Sequence, residues 1–468
     1  MEFSLPCSAA ELKAFLKRLD TFLLEKALGW AKKIYKAILE QVDELLAKER
    51  SKELSIEHLR AVWYQSCLGP VRVRRRQYRN RVGKYRYLLD ELMGMGKHCH
   101  VTSAVQELVL EMAAAMPYRR SAEVLRKTSA IDLAHQTIWR LVGRAADPYL
   151  EKAERELQWF LETGEIPEGE SKRAARLLVE ADGVMLSLQR EKESKAEIKV
   201  GIAYEGWEKV GKDRYKTVNK MAYADVTDGD FFWAGMSLKL QGRYDLSRIS
   251  DTVVGGDGAA WVKEGASYVN GRFQLDRYHL NRELCAALGH DGETYRKVWQ
   301  ACESGKTELG LQIMFEAMRK AKGKQAQRIA RACHYLEENR SGLGDYRLTL
   351  GEEGKGLRRT GAIEGNVDKL VVRRMKNQGM SWTVRGIRRL LCVRFLILEG
   401  RLKEWLSQQN DRGLWINIPR KKIRRVVNQF SMQESDAWLK AGMPVLYGPH
   451  ASRPWVKVLK DLAQGVSL

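Results

Sequence analysis

The stretch Ala175-Arg-Leu-Leu-Val-Glu-Ala-Asp182 is an apolar run that ends in an acidic residue. Its length and its apolar side chains predict a buried β-strand. The residue that follows, Gly183, suits a position where the backbone must approach a ligand closely. We therefore expect the Asp182 carboxylate to stand at the end of a strand.

Further segments with strand character follow this run, separated by polar connections and two helical segments. In chain order the pattern is three strands, a helix, a strand, a helix and a strand, where the later strands cover residues 196–204, 217–225, 250–257 and 271–276. This is the order of an RNase H-like mixed sheet. The sequence therefore predicts an α+β, multidomain protein with a mixed-sheet core, although a fold alone does not assign a function.

The remainder of the chain differs in composition from this core. Residues 9 to about 60 have helical periodicity, and residues 284–345 are charged, helical in pattern and without strand signals. We predict the following regions: a helical arm over 1–66, a basic hairpin with a helix-turn-helix-like DNA-binding region over 67–160, the RNase H-like core over 165–285 and 350–400, an all-helical insertion over 286–349, and a basic C-terminal region over 401–468.

The whole sequence is strongly basic. It has 468 residues, with 81 Lys and Arg against 59 Asp and Glu, for a formal net charge of +22. Such a charge indicates a polyanionic partner, most commonly nucleic acid. No apolar run approaches the roughly 20 residues that span a bilayer, and seven cysteines without Cys-x-x-Cys spacing suit a reducing compartment. The N-terminus has no signal-peptide pattern, so we expect a cytosolic protein with no membrane partner.

Two basic segments are candidates for contact with the phosphate backbone. Eight Lys and Arg lie between Arg72 and Arg86 with no acid among them, on a predicted β-hairpin of residues 71–78 and 84–89. Residues 355–425 hold 19 Lys and Arg against five acids, a net charge of 19 − 5 = +14. An ordinary solvated surface is the alternative. The candidate contacts are Arg72, Arg74, Arg76, Arg373, Arg374 and Lys376.

A third candidate DNA contact lies between these segments. Residues 102–144 have helical periodicity, with a short break at Thr128-Ser-Ala before a predicted helix from Ile131 to Val142. Two short helices with a tight connection are typical of a helix-turn-helix. The last helix would present Gln136 and Arg140 to base edges, although plain packing of a helical bundle gives the same pattern.

Two further acidic residues share the setting of Asp182. Asp257 lies in Val253-Val-Gly-Gly-Asp257-Gly-Ala-Ala-Trp261, and Glu364 lies in Gly361-Ala-Ile-Glu364-Gly-Asn. Carboxylates that converge from different segments are what two-metal phosphoryl transfer needs, and a few are enough to hold Mg²⁺. Singly, each could be a turn or capping residue. The rival acids Asp225, Asp228 and Asp230 cluster in a polar turn and are interpreted as loop residues.

These motifs resemble the DDE transposases of bacterial insertion sequences, specifically the ISLre-type group of the Mutator-like superfamily. The resemblance covers about residues 68–395. The segments that carry it are Glu-Ala-Asp182-Gly, Gly-Asp257-Gly-Ala-Ala-Trp261, Leu-Asp276-Arg-Tyr-His279-Leu, Gly361-Ala-Ile-Glu364-Gly-Asn-Val, Arg374-Met-Lys376 and Gly379-Met-Ser-Trp382.

The resemblance implies a bacterial, nucleoid-associated, homo-oligomeric transposase that cuts and joins double-stranded DNA at element ends and at a target. It implies that Asp182, Asp257 and Glu364 hold Mg²⁺ or Mn²⁺, and that Asp276 and His279 form the superfamily's Asp-x-x-His signature. His279 could orient the scissile phosphate or contact Asp257, or it could be a core histidine satisfied by Asp276. The alternative functions are an RNase H-like structure-selective nuclease and a transposase-derived DNA-binding regulator without catalysis.

Overall fold

The computed structural model describes residues 8–95, 99–166, 169–377 and 379–410, together with Ser452. The chain divides into two compact units. The first comprises Met1–Met112, Tyr118–Ile138 and Lys403–Leu468, and the second comprises Ala113–Pro117 and Trp139–Leu402. Of the predicted basic C-terminal region over 401–468, all but residues 401–410 and Ser452 lies outside the described residues.

The chain begins with helices and a small antiparallel sheet of order β1-β2-β3. The elements are α1 (Ala9–Leu16), α2 (Leu19–Lys48), β1 (Ser55–Ser66), β2 (Gly69–Arg79), β3 (Tyr85–Arg86), α3 (Leu88–Leu92), α4 (Ser103–Ala115), α5 (Tyr118–Thr128) and α6 (His135–Thr163). The C-terminal third of α2 packs on the sheet, where Leu46, Tyr64, Val73 and Tyr78 are fully buried in one apolar cluster. The core of this unit is therefore a helix laid across a three-stranded sheet.

The helical arm predicted over residues 1–66 ends earlier than expected. Helix α2 stops at Lys48, and residues 55–66 form strand β1. Strand β1 pairs along its length with β2 through a turn at residues 67–68, a hairpin that was not predicted. The predicted turn after β2 is also present, at residues 80–84. The expected pairing of β2 with residues 84–89 is reduced to two residue pairs with β3. Tertiary pairing with β2, and not local propensity, makes this segment a strand.

The second unit holds the larger sheet. The elements that complete the chain are β4 (Arg176–Ser187), β5 (Lys195–Tyr204), β6 (Gly206–Lys209), β7 (Tyr215–Val218), β8 (Met221–Asp225), α7 (Gly229–Gln241), β9 (Asp251–Gly256), α8 (Ala260–Tyr268), β10 (Arg272–Leu275), α9 (Arg277–Leu288), α10 (Gly292–Glu303), α11 (Thr307–Lys320), α12 (Gly323–Glu338), α13 (Ile363–Val367), α14 (Val384–Leu398) and α15 (Leu402–Asn410). A π-helical segment, Asp368–Lys376, directly continues α13.

The five main strands form a mixed sheet of order β10-β9-β4-β5-β8. Strands β4, β5 and β8 pair antiparallel, whereas β9 is parallel to both β4 and β10. The predicted mixed sheet is confirmed. Strands β6 and β7 form a separate two-stranded hairpin between β5 and β8, which the sequence analysis did not anticipate.

Both faces of the mixed sheet are covered. On one face, Leu177 and Val179 of β4 pack in an apolar cluster with residues of α7 and α8. On the other face, Leu178 and Leu186 pack with residues of α13, the π-helical segment and α14. Because side chains alternate along a strand, Asp182 shares this second face with Leu178 and Leu186.

Helices α9 to α12 pack around an apolar cluster that includes Leu284, Val298, Met314 and Leu336. They lie in the chain between β10, which ends the sheet, and α13, which carries Glu364. Among the described helices, none combines the length and the apolar character needed to cross a membrane.

Candidate functional site

Asp182 lies within β4 and not at its end, because the strand continues to Ser187. The strand register nevertheless places this interior position beside Asp257. Strand β9 ends at Gly256, which pairs with Ala181, so Asp182 and Asp257 are the next residues along two neighbouring parallel strands. The half-buried Asp182 accepts a hydrogen bond at Oδ1 from the Gly183 amide at 2.7 Å. Two of the predicted acids thus lie at the same edge of the sheet.

Asp257 is held in the turn between β9 and α8. Its Oδ1 accepts a hydrogen bond from the Ala259 amide at 3.0 Å. Its carbonyl oxygen accepts one from the Tyr335 hydroxyl of α12 at 2.7 Å. The next residue, Gly258, has φ +91°, and a Cβ there would stand 2.3 Å from Oδ1 of Asn339. Only glycine therefore fits this turn without rearrangement.

Glu364 lies in the first turn of α13 and is exposed. A buried carboxylate of β4, Glu180, holds the beginning of this helix. Glu180 accepts hydrogen bonds from three consecutive backbone amides, those of Gly361 at 2.9 Å, Ala362 at 3.1 Å and Ile363 at 3.1 Å. Strand β4 therefore positions Glu364 through Glu180, which is two residues from Asp182.

Glu180 was not among the residues predicted from the sequence. The residue is 1% exposed, and the hydroxyl of Tyr204 on β5 also donates a hydrogen bond to it. Burial raises the pKa of Glu180, and the hydrogen bonds from Tyr204 and the three amides oppose that rise. An acidic residue within the apolar run Leu-Leu-Val-Glu-Ala was the available signal, because a buried carboxylate needs several donors.

Asp257 and Glu364 act electrostatically on Asp182. The pKa of Asp182 is raised from 3.8 to about 6, chiefly by burial. The negative charges of Asp257 and Glu364 add to this rise, whereas the Gly183 amide and His279 oppose it. Since these acids come from β4, the turn after β9 and α13, the fold brings three segments to one place.

Asp276 and His279 lie at the start of α9, beside this group. Asp276 caps the helix by accepting hydrogen bonds from the amides of Tyr278 at 2.7 Å and His279 at 3.3 Å. The buried Nδ1 of His279 stands 3.6 Å from Oδ1 of Asp276 and has no hydrogen-bond partner in the described part of the chain. Interaction with Asp276 raises the pKa of His279, and the charge of His279 lowers that of Asp182. His279 thus contacts Asp276 and also acts on the acidic group.

The rival acids have other partners. Asp225 forms an ion pair of 2.6 Å with Arg388. Asp228 caps α7 through the amide of Phe231, and Asp230 accepts a hydrogen bond from the Tyr268 hydroxyl. These contacts give the three acids structural partners, but the prediction that they are loop residues is wrong for two of them, because Asp225 ends β8 and Asp230 lies in the first turn of α7.

The arginines of β2 differ in what they contact. Arg76 forms an ion pair of 2.7 Å with Asp43, a buried acid of α2. Arg74 lies 3.5 Å from Glu40, also on α2. Arg72 is exposed, and no ion pair is found for it in the described residues. Arg72 is therefore the one of these three predicted DNA contacts that is exposed and has no acidic partner among the described residues.

The predicted contacts after Glu364 are also unequal. Arg374 is 2% exposed, and its Nε donates a hydrogen bond to the Ala113 carbonyl at 2.9 Å. Such a buried side chain cannot reach DNA, so the expectation for Arg374 is wrong and the residue is structural. Arg373 is exposed and forms an ion pair of 2.6 Å with Asp368, and Lys376 is exposed.

The predicted recognition helix begins later and runs further than expected. Helix α6 starts at His135 and extends to Thr163, and residues 129–134 connect it to α5. This six-residue connection is longer than the three or four residues of a typical helix-turn-helix. Gln136 and Arg140 are both exposed on α6, one helical turn apart.

The donor chemistry of the acidic group fits a hard divalent cation. Carboxylate oxygens are the ligands that Mg²⁺ takes in proteins. Burial, followed by the negative charges of Asp257 and Glu364, raises the pKa of Asp182, and a bound cation would favour its ionised form. Within residues 8–95, 99–166, 169–377 and 379–410, however, no three His, Cys, Asp or Glu side chains are arranged so that they could hold a metal ion.

The chain belongs to UPF0236, an uncharacterised protein family, whose pattern matches residues 11–409. It is similar to several UPF0236 proteins of Caldanaerobacter subterraneus subsp. tengcongensis. One is 25% identical over 428 residues, which cover 90% of this chain and 86% of the relative. Another is 26% identical over 427 residues, which cover 90% and 85%. The name of the second relative carries eleven locus designations.

Proposed function

We propose that this member of the UPF0236 family is a DNA transposase, which cleaves DNA strands at the ends of a mobile element and joins them to a target. The observation that carries the proposal is the placement of three acids: Asp182 and Asp257 directly follow paired residues of parallel strands, and Glu180, two residues before Asp182, holds the start of the helix that carries Glu364. Acids brought together in this way within a chain of net charge +22 suit chemistry on a phosphate backbone.

The sheet supports an RNase H-like core of the DDE type. Three consecutive antiparallel strands, β4, β5 and β8, lie on one side, and the two parallel strands β9 and β10 return to the other side of β4. Asp182 lies on the central strand β4, Asp257 directly follows β9, and Glu364 lies on the later helix α13. This placement supports the shared role that the DDE resemblance implies for Asp182, Asp257 and Glu364.

The relatives support a mobile element in a different way. One relative's name joins eleven locus designations of a single organism, and another joins four. Repeated copying of one gene within a genome would leave such a set of loci. A transposase is a protein whose activity moves or copies the DNA that encodes it.

Each residue of the group has a task in this proposal. Asp182, Asp257 and Glu364 would supply carboxylate oxygens to Mg²⁺ or Mn²⁺, and water and phosphate oxygens of the DNA would complete a coordination that these side chains do not form by themselves. Glu180 positions Glu364 through the backbone amides at the start of its helix. A divalent cation bound there would lower the pKa of a water or a DNA hydroxyl and stabilise the leaving oxygen. Interaction with Asp276 raises the pKa of His279, and in its protonated form His279 would place a positive charge near the acids and the phosphate they act on.

Self-association is part of the proposal. A mobile element has two ends, and joining both to one target requires a protein that holds both. We expect a homo-oligomer on double-stranded DNA, which analytical ultracentrifugation with and without end DNA would test.

The proposed activity can be tested with purified protein and a duplex that contains the sequences flanking its gene. With Mg²⁺ or Mn²⁺ we expect nicks at the element boundary and products joined to a second duplex. Asp182→Asn, Asp257→Asn and Glu364→Gln should each abolish both products while leaving DNA binding intact, because each removes a carboxylate without adding bulk. The exposed Asp230→Asn serves as the matched control and should retain activity.

The outcomes separate the alternatives. Cleavage without joined products would identify a structure-selective nuclease. Specific binding without cleavage in either metal would identify a DNA-binding regulator. Cleavage that survives in one of the three variants would remove that residue from the catalytic group.

A further inference from the structure

A small basic hairpin projects from the mixed sheet between β5 and β8. Its strands, β6 and β7, pair over four residues each, from Gly206↔Val218 to Lys209↔Tyr215. Residues 208–216 contain four cations and two acids. The side chains of Val210 and Tyr215 are 56% and 40% exposed, so the end of the hairpin presents both charge and apolar surface to solvent.

The hairpin is attached to the chain on both sides of Glu364. Before Glu364, the guanidinium of Arg358 lies 3.8 Å from the ring centroid of Tyr215 and 5.1 Å from that of Trp207. After Glu364, Nζ of Lys220 donates a hydrogen bond to Oδ1 of Asn366 at 2.7 Å. Cation–π contacts with two rings and a direct hydrogen bond therefore hold the hairpin beside the helix that carries Glu364.

Three lysines from different segments lie at this attachment. Lys220, which precedes β8, contacts Asn366. Lys369 of the π-helical segment follows Asn366 by three residues, and Lys216 of β7 precedes Lys220 by four. Burial and the positive charges of Lys369 and Lys216 lower the pKa of Lys220. No ion pair is found for any of the three ammonium groups among the residues that the structure describes. Glu208 is paired with Lys216 across the hairpin, so an acid balances only part of this positive charge, and an anion bound among the lysines would offset their repulsion.

We propose that Lys216, Lys220 and Lys369 form a binding site for the phosphodiester backbone of the DNA strand at Glu364. The proposal rests on the transposase function proposed above and names protein–DNA contacts within it. Lysine ammonium groups bind phosphate oxygens as point charges. Lys220 contacts Asn366, two residues after Glu364, and Lys369 follows Glu364 by five residues. A DNA backbone bound by these lysines would therefore pass the acidic group.

The test compares two double variants that lose the same charge. Lys216→Ala with Lys369→Ala removes two exposed members of the site and leaves the hydrogen bond of Lys220 intact. Lys322→Ala with Lys324→Ala removes two exposed lysines at the start of α12, for which no ion pair is found in the described residues. The probe is a fluorescent duplex of the DNA that flanks the gene, and its affinity is measured by anisotropy across a series of salt concentrations.

We expect the Lys216/Lys369 variant to bind the duplex about 10- to 100-fold more weakly than the parent near about 0.1 M salt. The plot of log affinity against log salt concentration should become less steep, its slope decreasing in magnitude by about 2. The Lys322/Lys324 variant should match the parent. Glutamine at positions 216 and 369 should give the same loss, and thermal unfolding of all variants should be unchanged.

The outcomes distinguish this site from the wider proposal. If the parent binds and cleaves the duplex but the slope is the same in both double variants, the lysine site is overturned and the transposase function stands. If the parent fails to bind the duplex at any salt concentration, both are overturned. An equal loss in both double variants would also overturn the site, because net charge alone would then account for binding.

Discussion

The Asp182 carboxyl is a titrating group at the centre of the proposed site. Its pKa is raised from 3.8 to about 6, mainly by burial and then by Asp257 and Glu364. A carboxyl with a raised pKa contributes stability that is present below its unfolded pKa and is lost as the pH rises through about 6. With a metal chelator present and the pH above about 7, the free energy of unfolding of Asp182→Asn should therefore exceed that of the parent by about 1–3 kcal/mol.

Denaturant unfolding at a series of pH values would measure this difference, which should shrink as the pH falls toward 4. Mg²⁺ or Mn²⁺ should raise the melting temperature of the parent and have a smaller effect on Asp182→Asn. Asp230→Asn, whose carboxylate is exposed, should behave as the parent does. A parent protein whose stability relative to Asp182→Asn does not change with pH would contradict the raised pKa.

Glu180 is a positioning residue whose role can be separated from its contribution to stability. Glu180→Gln keeps the shape of the side chain but places an amide N–H among four donors, which leaves a backbone amide unpaired at a cost of about 1–3 kcal/mol. We expect cleavage to fall at least about tenfold and the stabilisation by Mn²⁺ to diminish, with DNA binding retained.

Glu205→Gln is the matched control for Glu180, because Glu205 follows β5 and also accepts several hydrogen bonds, from Lys172, Asn219 and Tyr244. It should lose stability without losing cleavage or the response to Mn²⁺. If Glu180→Gln cleaves at the parental rate, the position of Glu364 does not depend on Glu180.

At the scale of the element, the β1–β2 hairpin carries an arginine that is available to bind DNA, Arg72, and one that stabilises the fold, Arg76. Arg72→Ala should weaken binding to end DNA and reduce the salt slope by about 1, without changing thermal unfolding. Arg76→Ala leaves Asp43 buried without its guanidinium partner, so it should destabilise the protein by about 3–5 kcal/mol. Anisotropy and thermal unfolding of both variants would measure the contrast. Equal stability of the two variants would contradict it.

Helix α6 carries the prediction of sequence specificity. Gln136 can bridge adenine and Arg140 can bridge guanine in the major groove, so replacing both with Ala should cost about 1–3 kcal/mol for each specific contact while sparing binding to unrelated DNA. A footprint on the terminal repeat would measure it. Replacing Arg155 and Gln158 with Ala, the same residue types later on α6, is the control. Unchanged protection by the Gln136/Arg140 variant would make the beginning of α6 structural.

Some elements could be predicted from the sequence, and others only from the fold. Strands β4 and β9 were predictable because their apolar runs are buried on both faces of the sheet. Strand β1 was not, because most of its residues are exposed and its conformation comes from pairing with β2. The hairpin of β6 and β7 is short and polar, so it gave no strand signal.

The candidate site shows the same division. Strand order and local glycines placed Asp182 and Asp257 together, since both follow paired positions on parallel strands. The hydrogen bonds that Glu180 accepts from the backbone amides at the start of α13 join residues more than 180 positions apart, and no local sequence pattern predicts contacts over such a separation. Arg374 failed as a predicted DNA contact for the same reason, because it is buried and donates a hydrogen bond to the carbonyl of Ala113, 261 positions away.

At the scale of the whole molecule, the positive charge is only partly available to a polyanion. Arg385 and Arg389 both pair with Asp147, and Nε of Arg394 donates a hydrogen bond to the carbonyl of Leu370. These arginines belong to the basic segment 355–425 that the sequence assigned to DNA. Part of its net charge of +14 therefore stabilises the fold, and fewer phosphate contacts remain than the composition suggests.

The remaining free charge still predicts a steep salt dependence of DNA binding. If six to ten phosphates are contacted, affinity for end DNA should fall by roughly 10³–10⁵ between about 50 and about 200 mM salt, because each contact releases condensed counterions. Arg72, Lys216 and Lys369 should each account for about one unit of the slope, and Arg374 and Arg389 should account for none. Affinities of the parent and of single Ala variants, measured over this range, would assign the slope residue by residue. A nearly flat dependence for the parent would mean that the basic segments face protein or solvent, and that the polyanion inferred from the net charge of +22 is not DNA.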